Sequence, residues 1–184
     1  MMKQKNNLFL ITILLLLAIT SRFLSMPSNF SILGAIALFS GACITNKVFR
    51  FALPMVLLFV SDLLLNNLVY AEYYESFTFF YSGAFFSYAA YALAIIIGSL
   101  LTKTNSLHII GGSVGAAVVF FVLSNFGVWA TTAMYAKTFS GLLSCYEMAI
   151  PFFKNSLASN LVFSTLLFGA YHLATKNQET RALG

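Results

Sequence analysis

Asp62 is the carboxylate that this sequence embeds in a long apolar run, VLLFVSDLLLNNLVY, from Val56 to Tyr70. Asn66 follows four residues later, and this spacing places both side chains on one face of a helix. A charged side chain inside hydrocarbon costs about 2.5–3.5 kcal/mol even on a lenient insertion scale, so it needs a partner helix, a ligand or a water-filled cavity. Asp62 and Asn66 are therefore the first candidates for a ligand-binding site.

Further polar side chains stand near the ends of other apolar runs. The additional candidates for ligand binding are Arg22, Asn29, Asn125, Trp129 and Asn160. The amides donate and accept hydrogen bonds and the indole supplies a flat wall, which fits an apolar pocket with a few convergent polar groups. Two other interpretations stay open. Asp62 pairs with Arg22 as a polar contact between helices, and Trp129 is an ordinary tryptophan of a membrane interface.

Most motifs for catalysis and for metal binding are absent from the sequence. It contains no HExxH or phosphate-binding loop motif. The letters GGSVG at residues 111–115 match GxSxG, but they lie inside a predicted membrane helix and not at the strand-to-helix turn that this motif requires. Cys43 and Cys145 show no metal-binding spacing. We therefore expect no enzyme, no cofactor and no metal site. His108 and His172 leave a weaker alternative, a membrane redox subunit in which two histidines ligate a haem.

The elements that must position these residues follow from the composition. Hydrophobic residues make up 60% of the chain and charged residues 8%, whereas an ordinary soluble domain has about 25% charged residues. One span needs about 20 residues, so the 184 residues of the chain fit about six membrane helices with short loops. The net charge of +5 comes from scattered basic residues, which does not indicate a nucleic-acid partner. We predict an all-α integral membrane protein in which residues 1–184 form one domain among membrane lipids.

Six apolar runs are predicted to span the membrane. They cover approximately residues 8–24, 32–46, 48–70, 81–101, 109–129 and 155–175. The first run, with its basic start, also fits a signal peptide, but no good cleavage site precedes Arg22, so we predict a retained helix. The mixed sequence of residues 141–153 predicts a short interfacial helix, ended by Pro151, before the last span.

Three predicted spans carry small residues at four-residue spacing, a pattern that lets helices approach closely. The sets are Ala37 and Gly41 in the second span, Ala90, Ala94 and Gly98 in the fourth, and Gly111 and Gly115 in the fifth. In the third span, Pro54 is expected to introduce a kink.

Basic residues are divided unevenly between the two sides of this arrangement. With the N-terminus inside, seven Lys and Arg residues fall in inner segments and three in outer ones, which is the bias of cytoplasmic loops. We therefore predict a multi-pass protein of the bacterial inner membrane with both termini in the cytoplasm. In this topology the candidate binding residues gather in the outer half, which indicates a polar cavity that opens outward.

Several short motifs resemble a family of uncharacterised bacterial six-helix membrane proteins, classed as a domain of unknown function. The motifs are Arg22 with PSNF at residues 27–30, GAIALFSGA at 34–42, Ser61-Asp62, SNFGVW at 124–129 and GLLSCYEMAIPFFKN at 141–155. The resemblance extends over nearly the whole chain. The family has no assigned activity, so the resemblance implies an architecture and no particular reaction.

In architecture the chain is similar to the substrate-binding S components of energy-coupling-factor vitamin transporters. That similarity implies six helices, an outward pocket capped by loops, and an energising module as partner. S components dock through an Ala-xxx-Ala pattern in the first helix, whereas the first run here has only Ala18, which puts that docking in doubt. We expect a component that binds a small polar or vitamin-like solute for uptake. The alternative is a non-catalytic scaffold or accessory subunit of a larger membrane complex.

Overall fold

The part of the chain that can be described is helical. The structure, a computed structural model, describes residue 17 and residues 20–22, 28–101 and 105–182, with side chains as far as residue 173. The long helices are α1 (Leu33–Cys43), α2 (Lys47–Leu64), α3 (Ala84–Leu100), α4 (Ser106–Thr131) and α5 (Phe139–Ala182). A π-helical turn (Leu65–Val69) and a short 3₁₀ helix (Ala71–Tyr73) follow α2, and residues 17 and 20–22 are also helical. These residues contain no strand, which confirms the all-α prediction; most of the predicted first span, 8–24, lies outside them.

Local sequence signals set several of the helix ends. The side-chain oxygen of Asn46 accepts hydrogen bonds from the backbone amides of Val48 and Phe49 at the start of α2. Asn105 caps α4 in the same way through the amide of His108. Asparagine is among the preferred residues at this position because it satisfies amides that have no partner inside the helix. Before α3 the chain turns at Gly83, whose φ of 84° is a conformation that glycine adopts without steric cost.

Helix α1 lies at the centre of the bundle, because eight of its eleven residues are buried and it packs against all four of the other long helices. Its closest neighbour is α3. A methyl group built on Gly41 would lie 2.1 Å from the backbone oxygen of Ile95, and one built on Gly98 would lie 2.1 Å from that of Leu38. These two glycines therefore let the backbones of α1 and α3 touch. The sequence prediction of close packing in the second and fourth spans is confirmed.

The corresponding prediction for the fifth span finds no support among the described residues. Of these, none would lie within 4 Å of a methyl group on Gly111, and one on Gly115 would meet the end of the Ile97 side chain at 3.8 Å. The glycines of α4 that do pack inward are Gly112, next to Leu38 and Leu101, and Gly127, next to Phe86. The inward face of α4 is therefore rotated by one residue from the face that the small-residue pattern indicated.

A single helix replaces the predicted interfacial helix and last span. Helix α5 runs for 44 residues with Pro151 inside it, about 66 Å at 1.5 Å per residue, so the break expected between residues 153 and 155 is absent. Proline lacks an amide hydrogen and removes one backbone bond. That loss does not end a helix that packs against both α1 and α4. Pro54 likewise lies inside α2.

Among the described residues, two helical segments are long and apolar enough to cross a membrane, judged by length and composition. They are Lys47–Val69, with 23 residues, and Ser106–Thr131, with 26 residues. At 11 and 17 residues, α1 and α3 are shorter than the roughly 20 residues that a span requires. The outward face of α4 is an exposed apolar stripe at three- and four-residue spacing: Leu107, Ile110, Val114, Val118, Val122 and Phe126. Continuous apolar surface of this kind is typical of a face that meets lipid or another protein.

Candidate functional site

An ion pair joins the N-terminal helical residues to α2. Nη1 of Arg22 lies 2.5 Å from Oδ1 of Asp62 and also donates to the hydroxyl of Ser61 at 2.7 Å. The Asp62 side chain is 3% exposed and that of Arg22 is 22% exposed. The pairing that the sequence left open is therefore present, and it compensates the buried carboxylate.

Several buried polar atoms beside this pair have no hydrogen-bond partner among the described residues. They are Oδ2 of Asp62, Nδ2 of Asn66 and the hydroxyl of Tyr88. The Tyr88 hydroxyl and the Asp62 carboxylate lie close enough to pair with each other, and the Ser164 hydroxyl is a further buried atom without a described partner. Buried polar atoms are nearly always hydrogen-bonded in folded proteins, so Nδ2 of Asn66 is the atom beside the ion pair with unused hydrogen-bonding capacity.

A cavity of about 570 Å³ lies next to the ion pair. Its wall is formed by the N-terminal helical residues, the turn at 28–31, the π-helical turn, the loop before α3, and parts of all five long helices. Arg22 is the one charged residue among the described lining residues, and most of the other polar lining groups are hydroxyls and amides. Ordinary small-molecule sites have volumes of about 300–1,000 Å³, and the volume of this cavity falls within that range.

Four of the seven sequence-predicted site residues line this cavity: Arg22, Asn29, Asn125 and Asn160. Asp62 is not part of the wall and reaches the cavity only through its contact with Arg22. Asn66 is buried in the π-helical turn and does not line the cavity either. The predicted convergence of polar groups from distant segments thus exists, while ligand binding by these residues stays a prediction.

Trp129 lies apart from the cavity and closes the turn between α4 and α5. Its indole nitrogen donates to the backbone oxygen of Ala136 at 2.9 Å. The ammonium group of Lys137 lies 5.7 Å from the centre of the indole ring and donates to the backbone oxygens of Trp129 and Thr132. A cation at the C-terminal carbonyl groups of a helix is stabilising. These contacts give Trp129 a role in holding the turn, and they favour the interfacial interpretation over the proposed aromatic wall.

The asparagine side chains of the cavity keep unused acceptors. Nδ2 of Asn125 donates to the backbone oxygen of Phe121 at 2.7 Å. Nδ2 of Asn160 donates to that of Ser113 at 3.5 Å, which is a long hydrogen bond. The Oδ1 atom of neither residue accepts a hydrogen bond from a described residue. An aromatic pair, Tyr91 and Phe120 with ring centres 5.2 Å apart, forms part of the cavity wall.

Asn67 and Tyr81 contribute to the site, and neither was among the residues predicted from the sequence. Asn67 holds the backbone of Thr78 with two hydrogen bonds, of 2.9 Å from its Nδ2 and 2.8 Å to its Oδ1. This contact fixes the loop that places Tyr81 at the cavity. Burial and, to a lesser degree, the Asp62 carboxylate raise the pKa of Tyr81 above its ordinary value, so its hydroxyl remains a donor. A side chain that clamps a loop leaves no periodic signal in sequence, and for that reason spacing did not reveal Asn67.

The remaining reactive side chains do not assemble into a site. Across the described residues, no group of three or more His, Cys, Asp or Glu side chains stands where it would hold a metal ion. Cys43 and Cys145 are both free thiols. His108 is exposed and interacts with Asn105 at the start of α4, 2.5 Å from Nδ1 to Oδ1.

Comparison with known proteins identifies the family of this chain. No curated protein and no solved structure matches the chain. The model of a family of unknown function, DUF6580, matches residues 2–183, nearly the full length of the chain and all of the cavity wall. The chain therefore belongs to DUF6580, a family of unknown function.

Proposed function

We propose that this protein binds a small polar or vitamin-like solute in its cavity and serves as the solute-binding part of a membrane uptake system. The observation that carries the proposal is a cavity of about 570 Å³ with a mainly hydroxyl and amide wall, enclosed by helices whose outer faces are apolar. A polar interior inside an apolar exterior is the arrangement expected of a solute site in a bilayer. The six-span bundle similar to S components is part of this proposal.

The charge distribution supports an outward-facing cavity. The cavity lies at the end of the bundle that carries the turn at 28–31 and the loop before α3. Lys47 and Arg50 lie near the start of α2, at the opposite end of that helix from the π-helical turn. Because basic residues favour the cytoplasmic side, we propose that the cavity faces the outer side of the inner membrane and that both termini lie inside.

The proposal requires partners besides lipid. The sequence has no phosphate-binding loop, so energy for uptake would come from a separate energising module. An accessory role in a larger complex is the second candidate, and one observation favours it. Gly111 and Gly115 form a small-residue face of α4 that meets almost nothing among the described residues, and such faces pack against other membrane helices.

Native mass spectrometry of the protein, extracted gently from its own membrane, separates the two functions. We expect a small-molecule adduct on the wild type that is lost in Ser124→Trp, because Ser124 lines the cavity and the indole would fill it. Val118→Trp, on the same helix but 42% exposed on the outer face, is the matched control and should keep the adduct. A wild-type protein that carries a stoichiometric protein partner and no small molecule would refute solute binding.

A further inference from the structure

The guanidinium of Arg22 has an unoccupied edge beside the cavity. An arginine side chain carries five N–H donors in a planar fork: one on Nε and two on each terminal nitrogen. Both described hydrogen bonds of Arg22 leave from Nη1, one to Ser61 and one to Asp62. No described residue accepts from Nε or Nη2, although Arg22 lines the cavity. The Nε–Nη2 edge is the edge that binds two oxygens of one planar anion.

The ion pair holds this edge in place. Asp62 and Ser61 are both buried on α2, and together they fix Nη1 with bonds of 2.5 and 2.7 Å. Anchoring one terminal nitrogen of a rigid fork also orients the other two nitrogens, because the guanidinium is planar. The role of Asp62 is thus to position Arg22, which explains why the carboxylate is close to the cavity without being part of its wall.

Arg22 offers a ligand hydrogen-bond donors, whereas Asn125 and Asn160 also offer acceptors. Each uses one Nδ2 hydrogen on a backbone oxygen of the protein and keeps the other as a donor, while its acceptor Oδ1 has no described partner. A solute that satisfies both would carry hydroxyl or N–H donors. The lining contains no carboxylate among its described residues, and the Asp62 carboxylate next to it is already paired with Nη1 of Arg22.

We propose that the solute is a carboxylate, held by the Nε–Nη2 edge of Arg22, with donor groups on its body that reach Asn125 and Asn160. This inference rests on the proposed solute-binding function and names the chemical class of the solute. A neutral solute would leave the unused donors of Arg22 without an anionic partner.

Benzoate and benzamide provide the test, because they share shape and differ in charge and in the second oxygen. Binding of each to the full-length protein in lipid nanodiscs is measured by ligand-observed NMR. We expect the wild type to bind benzoate about tenfold more tightly than benzamide, the effect of one strong charge-assisted interaction. Equal binding of the two probes, or no detectable binding of benzoate, would overturn the proposal.

Arg22→Lys is the informative variant. Lysine keeps a positive charge for Asp62 and hence the fold, but it has no second edge for a planar anion. We expect the benzoate preference to fall to about twofold or less. Arg50→Lys is the matched control: Arg50 is half-buried, donates to the backbone oxygen of Ile44 and is not part of the cavity wall, so the preference should persist. An unchanged preference in Arg22→Lys would refute the assignment of the edge.

The carboxylate proposal can fail independently of the proposed solute-binding function. If the native adduct is present and lost in Ser124→Trp while benzoate shows no preference, the cavity binds a solute that is not a carboxylate. If the wild type has neither an adduct nor a benzoate preference, both proposals fail.

Discussion

The two residues of the Arg22–Asp62 pair should differ in how much stability the protein loses when each one is replaced. Replacing Arg22 by Met leaves a carboxylate that is 3% exposed, whereas replacing Asp62 by Asn leaves a guanidinium that is 22% exposed beside a cavity. Water in the cavity can solvate the second group far better than the first. Breaking a buried ion pair costs about 3–5 kcal/mol. We expect Arg22→Met to lower the free energy of unfolding by an amount in that range. Asp62→Asn should lower it by less, about 1–3 kcal/mol, as for a buried donor that loses its partner.

A double-mutant cycle measures the interaction itself. The double variant removes both charges, so it should be more stable than the sum of the single effects predicts, by about 1–3 kcal/mol for groups in direct contact. Thermal unfolding in detergent is a suitable assay. A change of 1 kcal/mol shifts the midpoint by about 2–4 °C for a chain of this size, so Arg22→Met should lower it by about 6 °C or more.

Arg50 supplies the control for this cycle. It lies 12 residues before Asp62 in the same helix, about 18 Å away along the axis, so Arg50→Met and Asp62→Asn should add within about 0.5 kcal/mol. Two results would refute the reasoning: single Arg22 and Asp62 effects that simply add, or an Asp62→Asn variant less stable than Arg22→Met. The second result would mean that the cavity does not solvate Arg22.

Two further variants test the packing and the cavity loop. Gly98→Ala places a methyl group 2.1 Å from a backbone oxygen of α1 and should lower the free energy of unfolding by about 1–3 kcal/mol or more, measured by thermal unfolding. Gly111→Ala, whose methyl group meets no described residue within 4 Å, should be neutral or stabilising. Equal effects of the two substitutions would contradict the close approach of α1 and α3. Asn67→Ala removes both hydrogen bonds to the Thr78 backbone and should speed amide exchange at Thr78 about tenfold or more. Asn66→Ala removes an Nδ2 group without a described partner and should leave that exchange unchanged, so similar acceleration in both variants would contradict the proposed clamp.

Local features of the structure were readable in the sequence, because they depend on neighbouring residues. Gly41 and Gly98, identified by the spacing of small residues, lie on the touching faces of α1 and α3. The convergence of Asn29, Asn125 and Asn160 also followed, since residues near the ends of helices in an up-and-down bundle meet at one end. Each of these inferences needs only periodicity, end signals and the direction of the chain.

Features that depend on which face of a helix turns inward were decided by tertiary packing. Helix α4 is apolar all round, and a helix of that kind gives no periodic signal for its buried face. The sequence pattern therefore favoured Gly111 and Gly115, whereas packing selected Gly112. In α5 the sequence carried a helix-breaking residue, Pro151, and the helix nevertheless continues because contacts with α1 and α4 outweigh one lost hydrogen bond.

The sequence by itself determined that the chain is helical and apolar, where small residues allow helices to touch, and that polar groups collect at one end. The tertiary structure alone decided that Arg22 joins Asp62 across 40 residues, that Asn67 fixes the loop at Thr78, and that Trp129 belongs to a turn and not to the cavity. The physical reason is that a hydrogen bond between distant segments depends on the relative rotation and crossing of whole helices. Those quantities are set by side-chain packing throughout the bundle.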